Sequence, residues 1–167
     1  IRGGMPYSLH ELKPLETFFV GRWMVKAFET KHDVAGSVGF LLVRGKPRTH
    51  RILYLTDSYY CKYSFPGLTH IVIECNHVGD IIEKRWKDGS IAPDMYLRLR
   101  KSHFSLGRVL SYLKTLDLRS CRKIVLVHLS DENSDEARMV AEVKAQTGVE
   151  TVAARAGMMI DFDLCPF

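Results

Sequence analysis

The chain has 167 residues, enough for one domain with a sizeable core. Hydrophobic residues make up 46% and charged residues 26% of it, which excludes a fibrous or intrinsically disordered protein. The net charge of +5 is a mild basic excess that favours anionic partners such as nucleic acid, nucleotides or phosphoesters, although the basic residues are dispersed, as on a solvated surface.

The cysteines and the apolar stretches indicate the compartment. Four cysteines show no CxxC spacing and no paired framework, which favours a reducing environment. No apolar stretch approaches membrane-spanning length, and no signal peptide is visible. We therefore expect a cytoplasmic protein that has no membrane partner.

The first half of the chain is predicted to be rich in strands. Residues Glu16–Phe28 alternate loosely and break at Val20-Gly21-Arg22, which is typical of a β-hairpin. Two more strands are predicted over Ser37–Val43 and Arg51–Thr56, and a buried strand over Leu68–Cys75.

The second half is predicted to alternate between helices and strands. The predicted order is helix Pro93–Ser102, helix Ser105–Leu116, strand Lys123–Leu129, helix Asn133–Thr147 and strand Val149–Phe162. Asn133 with Glu136 three residues later resembles a capping box, and Gly148 suits the end of that helix. No linker or repeat divides the chain, so residues 1–167 are predicted to form one α/β domain.

Three polar residues are placed where α/β folds carry chemistry. His128 directly follows an apolar run, Asp57 ends another, and His32 lies in the loop before a third. Side chains at the carboxyl ends of strands project into an open crevice. Each residue also has a purely structural interpretation: a loop histidine without a role, a turn-capping carboxylate, and a buried histidine bonded to a backbone carbonyl.

Two further histidines add to this pattern. His77 ends the buried strand, and His103 directly precedes a predicted helix start, where backbone N–H groups favour an anion. Each signal is weak alone, but together they predict a site.

Five segments in chain order resemble the metallo-β-lactamase superfamily. They are His32–Phe40, Ile52–Asp57, Val72–His77, Ser102–Ser105 and Ile124–Ser130, and the resemblance spans about residues 16 to 162. The nearest likeness is to the phosphodiesterase and nuclease branch, which includes ribonuclease Z and the WalK-linked exonuclease-like hydrolases. The resemblance implies an αββα sandwich, of which this chain supplies a part.

The resemblance also implies roles for the residues. His32 and His128 would each bind one of two metal ions, and Asp57 would bridge the ions and take part in catalysis. His103 would touch the scissile phosphate as a general acid or charge stabiliser, with His77 behind the ligands. Imidazole and carboxylate suit Zn²⁺ or Mn²⁺, and two-metal sites promote phosphodiester hydrolysis.

One hallmark of the superfamily, a His-x-His-x-Asp-His cluster, is not found in this sequence. Only His10 precedes His32, and nothing in residues 1–31 resembles the cluster. Three explanations stay open: a fragment or split protein, a degenerate member, or a single ion held by His32, Asp57 and His128. The start at Ile1 without an initiator methionine favours the first.

Two functional hypotheses follow from different classes. The first is a metal-dependent phosphodiesterase or nuclease whose metal site is incomplete in this chain. The second is a non-catalytic binding or assembly module on a degenerate fold. Without its first strands, such a fold would expose apolar residues such as Trp23, Met24 and Phe28, so we expect a homo-oligomer or a complementing N-terminal chain.

Overall fold

The computed structural model describes Lys13, residues 15–45 and residues 49–162. Its strands lie side by side in one sheet, in chain order: β1 (Thr17–Val20), β2 (Trp23–Glu29), β3 (Val38–Arg44), β4 (His50–Leu55), β5 (His70–Glu74), β6 (Lys123–Val127) and β7 (Glu150–Ala153). Neighbours from β1 to β4 are antiparallel, and those from β4 to β7 are parallel. The α/β class with a β-rich first half is confirmed.

The helices of the described residues follow the parallel strands. They are α1 (Gly79–Lys87), α2 (Pro93–Ser102) and α3 (Leu106–Leu113) between β5 and β6, and α4 (Glu136–Thr147) between β6 and β7. A parallel connection must return the chain to the starting edge of the sheet, and it does so through helices after β5 and β6 but through the helix-free segment 56–69 after β4. None of these helices combines the length and the apolar character that crossing a membrane requires.

One face of the sheet carries the main core. The main cluster joins the strand residues Leu53, Ile71 and Leu126 to Val109 of α3 and Met139 of α4. All five side chains are fully buried. Helices α1 and α2 pack on each other through a separate small cluster. The described residues therefore supply one sheet and one helix layer of the predicted αββα sandwich.

The opposite face of the sheet is covered by the end of the described chain. Ile160 and Phe162 pack against Val72 and Val125 of the central strands. The prediction that strand structure continues to Phe162 is wrong. The chain leaves the sheet after Ala153, turns with Gly157 at φ 77°, and uses its apolar residues to cover the sheet.

Other predictions of local structure have mixed outcomes. The hairpin is confirmed, with Gly21 at φ 57°, and Gly148 ends α4 at φ 68°. The N-cap of α4 is Asp135 rather than Asn133, because the Asp135 carboxylate accepts the Arg138 N–H at 3.0 Å. The buried Asn133 amide makes hydrogen bonds with other side chains instead. Phe28, which was predicted to be exposed, is fully buried.

Helix α1 has no counterpart in the sequence prediction, since its residues carry few apolar side chains and only Ile82 of them is buried. His10 lies outside the described residues.

A buried histidine on the covered sheet face predicts acid sensitivity. Burial, helped by the charges of His50 and Lys123, lowers the pKa of His70 from 6.5 to about 4, while Asp161 opposes this. Between pH 6.5 and pH 4, His70 is protonated in the unfolded chain but stays neutral in the folded one. We expect His70 to lower the free energy of unfolding by roughly 1 kcal/mol per pH unit as the pH drops from 6.5 to 4.

Denaturant unfolding of the wild type and of His70→Asn across this pH range checks the prediction. The variant should have the shallower pH dependence, because its side chain does not titrate. Equal slopes for the two proteins would show that His70 is not the group responsible.

Candidate metal centre

The carboxyl ends of three adjacent parallel strands carry the candidate site. Glu74 is the last residue of β5, His128 directly follows β6, and Asp57 lies two residues beyond β4. Because β4 and β6 both pair in parallel with β5, their carboxyl ends lie together at one edge. This topology places the residues that follow the three strands close to one another.

His103 reaches the same edge from the helical layer. It is the C-cap of α2 and begins the short connection to α3. Two backbone hydrogen bonds tie this connection to the end of β5: the N–H of Asn76 donates to the carbonyl of Phe104, and that of Leu106 donates to the carbonyl of His77, both at 2.9 Å. The sheet edge therefore fixes the position of His103.

These four side chains form a compact group of metal-binding type. Asp57, Glu74, His103 and His128 each offer one ligand atom, and these atoms all lie within 4.8 Å of one another. The side chains of Asp57 and His128 are 44% and 45% exposed, so the group is open to solvent on one side. Glu74, in contrast, is fully buried.

The buried carboxylate of Glu74 organises the group. Its Oε1 lies 2.5 Å from Nδ1 of His103 and 2.9 Å from Nδ1 of His128, while its Oε2 accepts the Ser58 backbone N–H at 3.0 Å. Carboxylates that bond one imidazole nitrogen fix the ring and leave the other nitrogen for a metal or substrate. The Glu74 hydrogen bond also raises the pKa of His103 above its usual value, against the effect of burial.

The backbone is strained at two residues of the group. Asp57 and His128 have φ angles of 50° and 58°, a left-handed conformation that is uncommon outside glycine, although aspartate and histidine adopt it more often than most residues. Asn76 supports His128, because its side-chain amide donates to the His128 carbonyl at 2.9 Å. The fold holds both residues where unstrained strand ends would not place them.

His32 lies beside the group but not in it. Its ring packs edge-on against His103, with 5.0 Å between centroids. Its Nδ1 lies 2.9 Å from the Ser102 carbonyl and its Nε2 lies 3.0 Å from the Asp33 carboxylate. His32 would have to give up one of these partners to bind a metal, so its role as a ligand stays a prediction.

His77 is also separate from the group. It is 2% exposed, and its Nδ1 has no hydrogen-bond partner among the described residues. Burial lowers the pKa of His77 to about 4, and the positive charges of His103 and two arginines act in the same direction. The predicted place of this residue behind the ligands is not tested by these contacts.

Glu74 was missing from the sequence prediction, although a signal for it exists. It is the one acidic residue of β5, where it follows three apolar residues, and all five residues of the strand are buried. A charged side chain at the end of a fully buried strand needs partners, because an isolated buried charge is very costly. That argument alone would have placed Glu74 among the candidates.

The sheet and its helix layer have the metallo-β-lactamase fold, as the comparison with solved structures shows. A metallo-β-lactamase fold protein from Bacillus subtilis, YhfI, matches with a TM-score of 0.64 and 15% identity over 88% of this chain and 53% of that one. Human tRNase Z, short form, matches with a TM-score of 0.52 and 18% identity over 88% and 46%. No protein-family model and no curated protein matches the sequence.

A third structure of this fold has a different activity. CmlA, a diiron β-hydroxylase from Streptomyces venezuelae, matches with a TM-score of 0.56 and 15% identity over 87% of this chain and 33% of that one. The chain thus spans between about a third and a half of the length of these proteins. At this level of identity the likeness establishes the fold and leaves the activity open.

The left-handed backbone at position 128 predicts that glycine destabilises the chain less than alanine does there. In metal-free protein we expect His128→Gly to unfold with a free energy about 1 kcal/mol higher than His128→Ala, because glycine adopts a positive φ without a steric cost. Both variants lose the same imidazole, so their difference isolates the backbone. Urea unfolding measures it, and an alanine variant of equal or greater stability would contradict the strain.

Proposed function

We propose that this chain carries part of the site of a metal-dependent phosphodiester hydrolase that acts on nucleic acid or a nucleotide. The observation that supports it most is the convergence of Asp57, Glu74, His103 and His128 at one sheet edge. A solved structure of the same fold is a tRNase Z, which favours nucleic acid as the substrate class.

The donor set fits a divalent cation of the Zn²⁺ or Mn²⁺ type. Imidazole nitrogens and carboxylate oxygens are ligands that both ions accept. Asp57 and His128 would hold the ion, because they are the half-exposed members with room for it. Glu74 would orient the imidazoles from behind, since its own oxygens already have three partners.

The chemistry of a bound ion suits phosphodiester hydrolysis. A divalent cation there would polarise the phosphoryl oxygens and lower the pKa of a water molecule, which favours attack on phosphorus. This chain's residues would supply positioning and proton transfer around it.

His103 is the group of this site suited to donate a proton. Its Nδ1 is held by Glu74, which favours the protonated ring and leaves Nε2 as a donor. A protonated imidazole beside a phosphodiester can stabilise the developing charge or protonate the leaving oxygen. We therefore assign His103 the role of general acid. Asp57 would be a metal ligand, and its carboxylate would be shared between the ions if two are bound.

The open side of the group leaves room for further ligands. One histidine and one carboxylate with half of their surface exposed are fewer protein ligands than catalytic zinc sites use. His32, or a residue of a second copy or of a complementing N-terminal chain, would complete the site. We expect slow turnover from this chain by itself.

The test measures metal content and cleavage of bis(p-nitrophenyl) phosphate on the 167-residue chain, alone and joined to any upstream coding sequence. We expect Zn²⁺ or Mn²⁺ to bind both proteins, more tightly the longer one, and to support cleavage that Asp57→Asn abolishes, with the longer protein the faster. Glu150→Gln, which removes an exposed carboxylate elsewhere, is the matched control. Absence of both metal and cleavage from both proteins would overturn the proposal.

Variants of Asp57 also distinguish the hydrolase from the rival function, a non-catalytic binding module. If a partner protein or nucleic acid binds the metal-free chain, and Asp57→Ala leaves that binding unchanged, the non-catalytic binding module is supported instead. Loss of metal and of cleavage in Asp57→Ala would support the hydrolase.

A further inference from the structure

A second polar cavity lies next to the connection that carries His103. Its volume is about 410 Å³, and it lies between α1, α2 and the start of α3. The polar residues that line it are His77, Glu83, Tyr96, Arg100, Ser105 and Arg108. None of the four residues of the metal group lines it. The cavity is therefore distinct from that group.

The buried histidine of this cavity lacks a partner. His77 is 2% exposed, yet its Nδ1 has no hydrogen bond among the described residues. Buried polar atoms without partners are uncommon and costly in native proteins, and a bound ligand is one reason for them. A neutral imidazole offers one donor and one acceptor nitrogen, so it can donate to an anionic oxygen without carrying a charge itself.

The cavity is also electropositive. Arg100 and Arg108 line it, and among the ion pairs between described residues none includes either arginine. Its one acidic residue, Glu83, already pairs with Lys87 at 2.7 Å. Two guanidinium groups without carboxylate partners are suited to a phosphate, which they can bind through two parallel hydrogen bonds.

The arginines are held near the cavity by neutral contacts. Arg108 donates to the carbonyl of Arg100 at 2.6 Å, and Arg100 donates to the hydroxyl of Tyr96 at 3.0 Å. Each guanidinium also lies over a tyrosine ring, Arg100 over Tyr96 at 5.3 Å and Arg108 over Tyr59 at 5.1 Å from the centroid, so both are ordered without a carboxylate in direct contact. Helices α1 and α3 also begin at this cavity, with Gly79 and the N-cap Ser105, so backbone N–H groups add to the positive potential.

The cavity and the metal group share one structural element. Ser105 lies two residues after His103, and the His77 carbonyl accepts the N–H of Leu106 at 2.9 Å. A polynucleotide presents phosphates at regular intervals, so a strand with one phosphate at the metal group would bring others toward this connection.

We propose that the cavity formed by His77, Arg100 and Arg108 binds a phosphate group of the nucleic-acid strand next to the one that is cleaved. The identity of the strand rests on the proposed function, whereas the phosphate chemistry rests on the cavity alone. A subsite of this kind would position the strand and contribute to binding rather than to the chemical step.

The first test titrates the metal-free 167-residue chain with inorganic phosphate in EDTA at constant ionic strength, with the histidine ring nitrogens followed by NMR. We expect the His77 signals to shift to saturation. Arg100→Gln should weaken this binding by about tenfold, in keeping with loss of a charge-assisted hydrogen bond. Lys101→Gln removes a neighbouring exposed charge outside the cavity and should leave the phosphate affinity unchanged.

The second test repeats the titration with a short oligothymidylate in place of phosphate. Displacement of phosphate from His77, with Arg100→Gln weakening the oligonucleotide, supports the proposal. His77 signals that never respond, or a response equal in Arg100→Gln and Lys101→Gln, would overturn it. Phosphate binding without displacement would identify a free-phosphate site and also contradict it. EDTA keeps these results independent of metal binding and hydrolysis.

Discussion

Replacement of Glu74 by glutamine is expected to weaken the binding of Zn²⁺ or Mn²⁺ by about 10- to 100-fold. The glutamine keeps the size of the side chain, but it removes the charge that holds the Nδ1 atoms of His103 and His128 at 2.5 and 2.9 Å. A neutral amide oxygen is a weaker hydrogen-bond acceptor than a carboxylate, so the orientation of both rings is held less firmly. Isothermal titration of each ion into the metal-free chain measures the effect.

The control for this prediction is Glu150→Gln. Glu150 is 60% exposed and pairs with Lys123 at 3.5 Å, at the other end of the parallel strands. It loses the same charge without touching the group, so its metal affinity should match that of the wild type. Equal affinities for all three proteins would show that Glu74 does not organise the site.

Replacement of His103 by glutamine is expected to reduce phosphodiester cleavage by about 100-fold or more while the chain still binds metal. Under the proposed roles, His103 supplies a proton and Asp57 and His128 hold the ion. His128→Gln should therefore show the opposite order of effects, with metal binding lost first.

Metal content and cleavage rate, measured together on the two histidine variants, separate these roles. A His103→Gln protein that loses its metal would instead make His103 a ligand. The pH dependence gives a second readout: because the Glu74 hydrogen bond raises the pKa of His103, activity that requires the protonated ring should extend to higher pH in the wild type than in Glu74→Gln.

The sequence predicted the parallel half of the fold well because its signals are local. The apolar runs of β5 and β6 and the helical spacing of α3 are long enough to identify each element. Polar residues directly after such runs, here Asp57 and His128, then indicate the edge that carries the candidate site. The alternation of helix and strand indicates that those runs are parallel neighbours.

The features that the sequence prediction missed depend on contacts between distant segments. Helix α1 has few apolar residues, and the course of residues 154–162 across the sheet follows from packing on Val72 and Val125. The cap of α4 moved to Asp135 because Asn133 bonds Arg85 of another helix. The sequence does signal that Glu74, a charged residue at the end of a buried strand, needs partners, but only the fold shows that these partners are His103 and His128.

The most direct test of the metal centre is X-ray diffraction at the zinc absorption edge from crystals of the 167-residue chain grown with Zn²⁺. We predict an anomalous peak in contact with the Asp57 carboxylate and the His128 imidazole, with Glu74 still bonded to the rings behind it. A chain that binds zinc only elsewhere, with the hydrogen bonds of these four side chains to one another unchanged, would contradict the account.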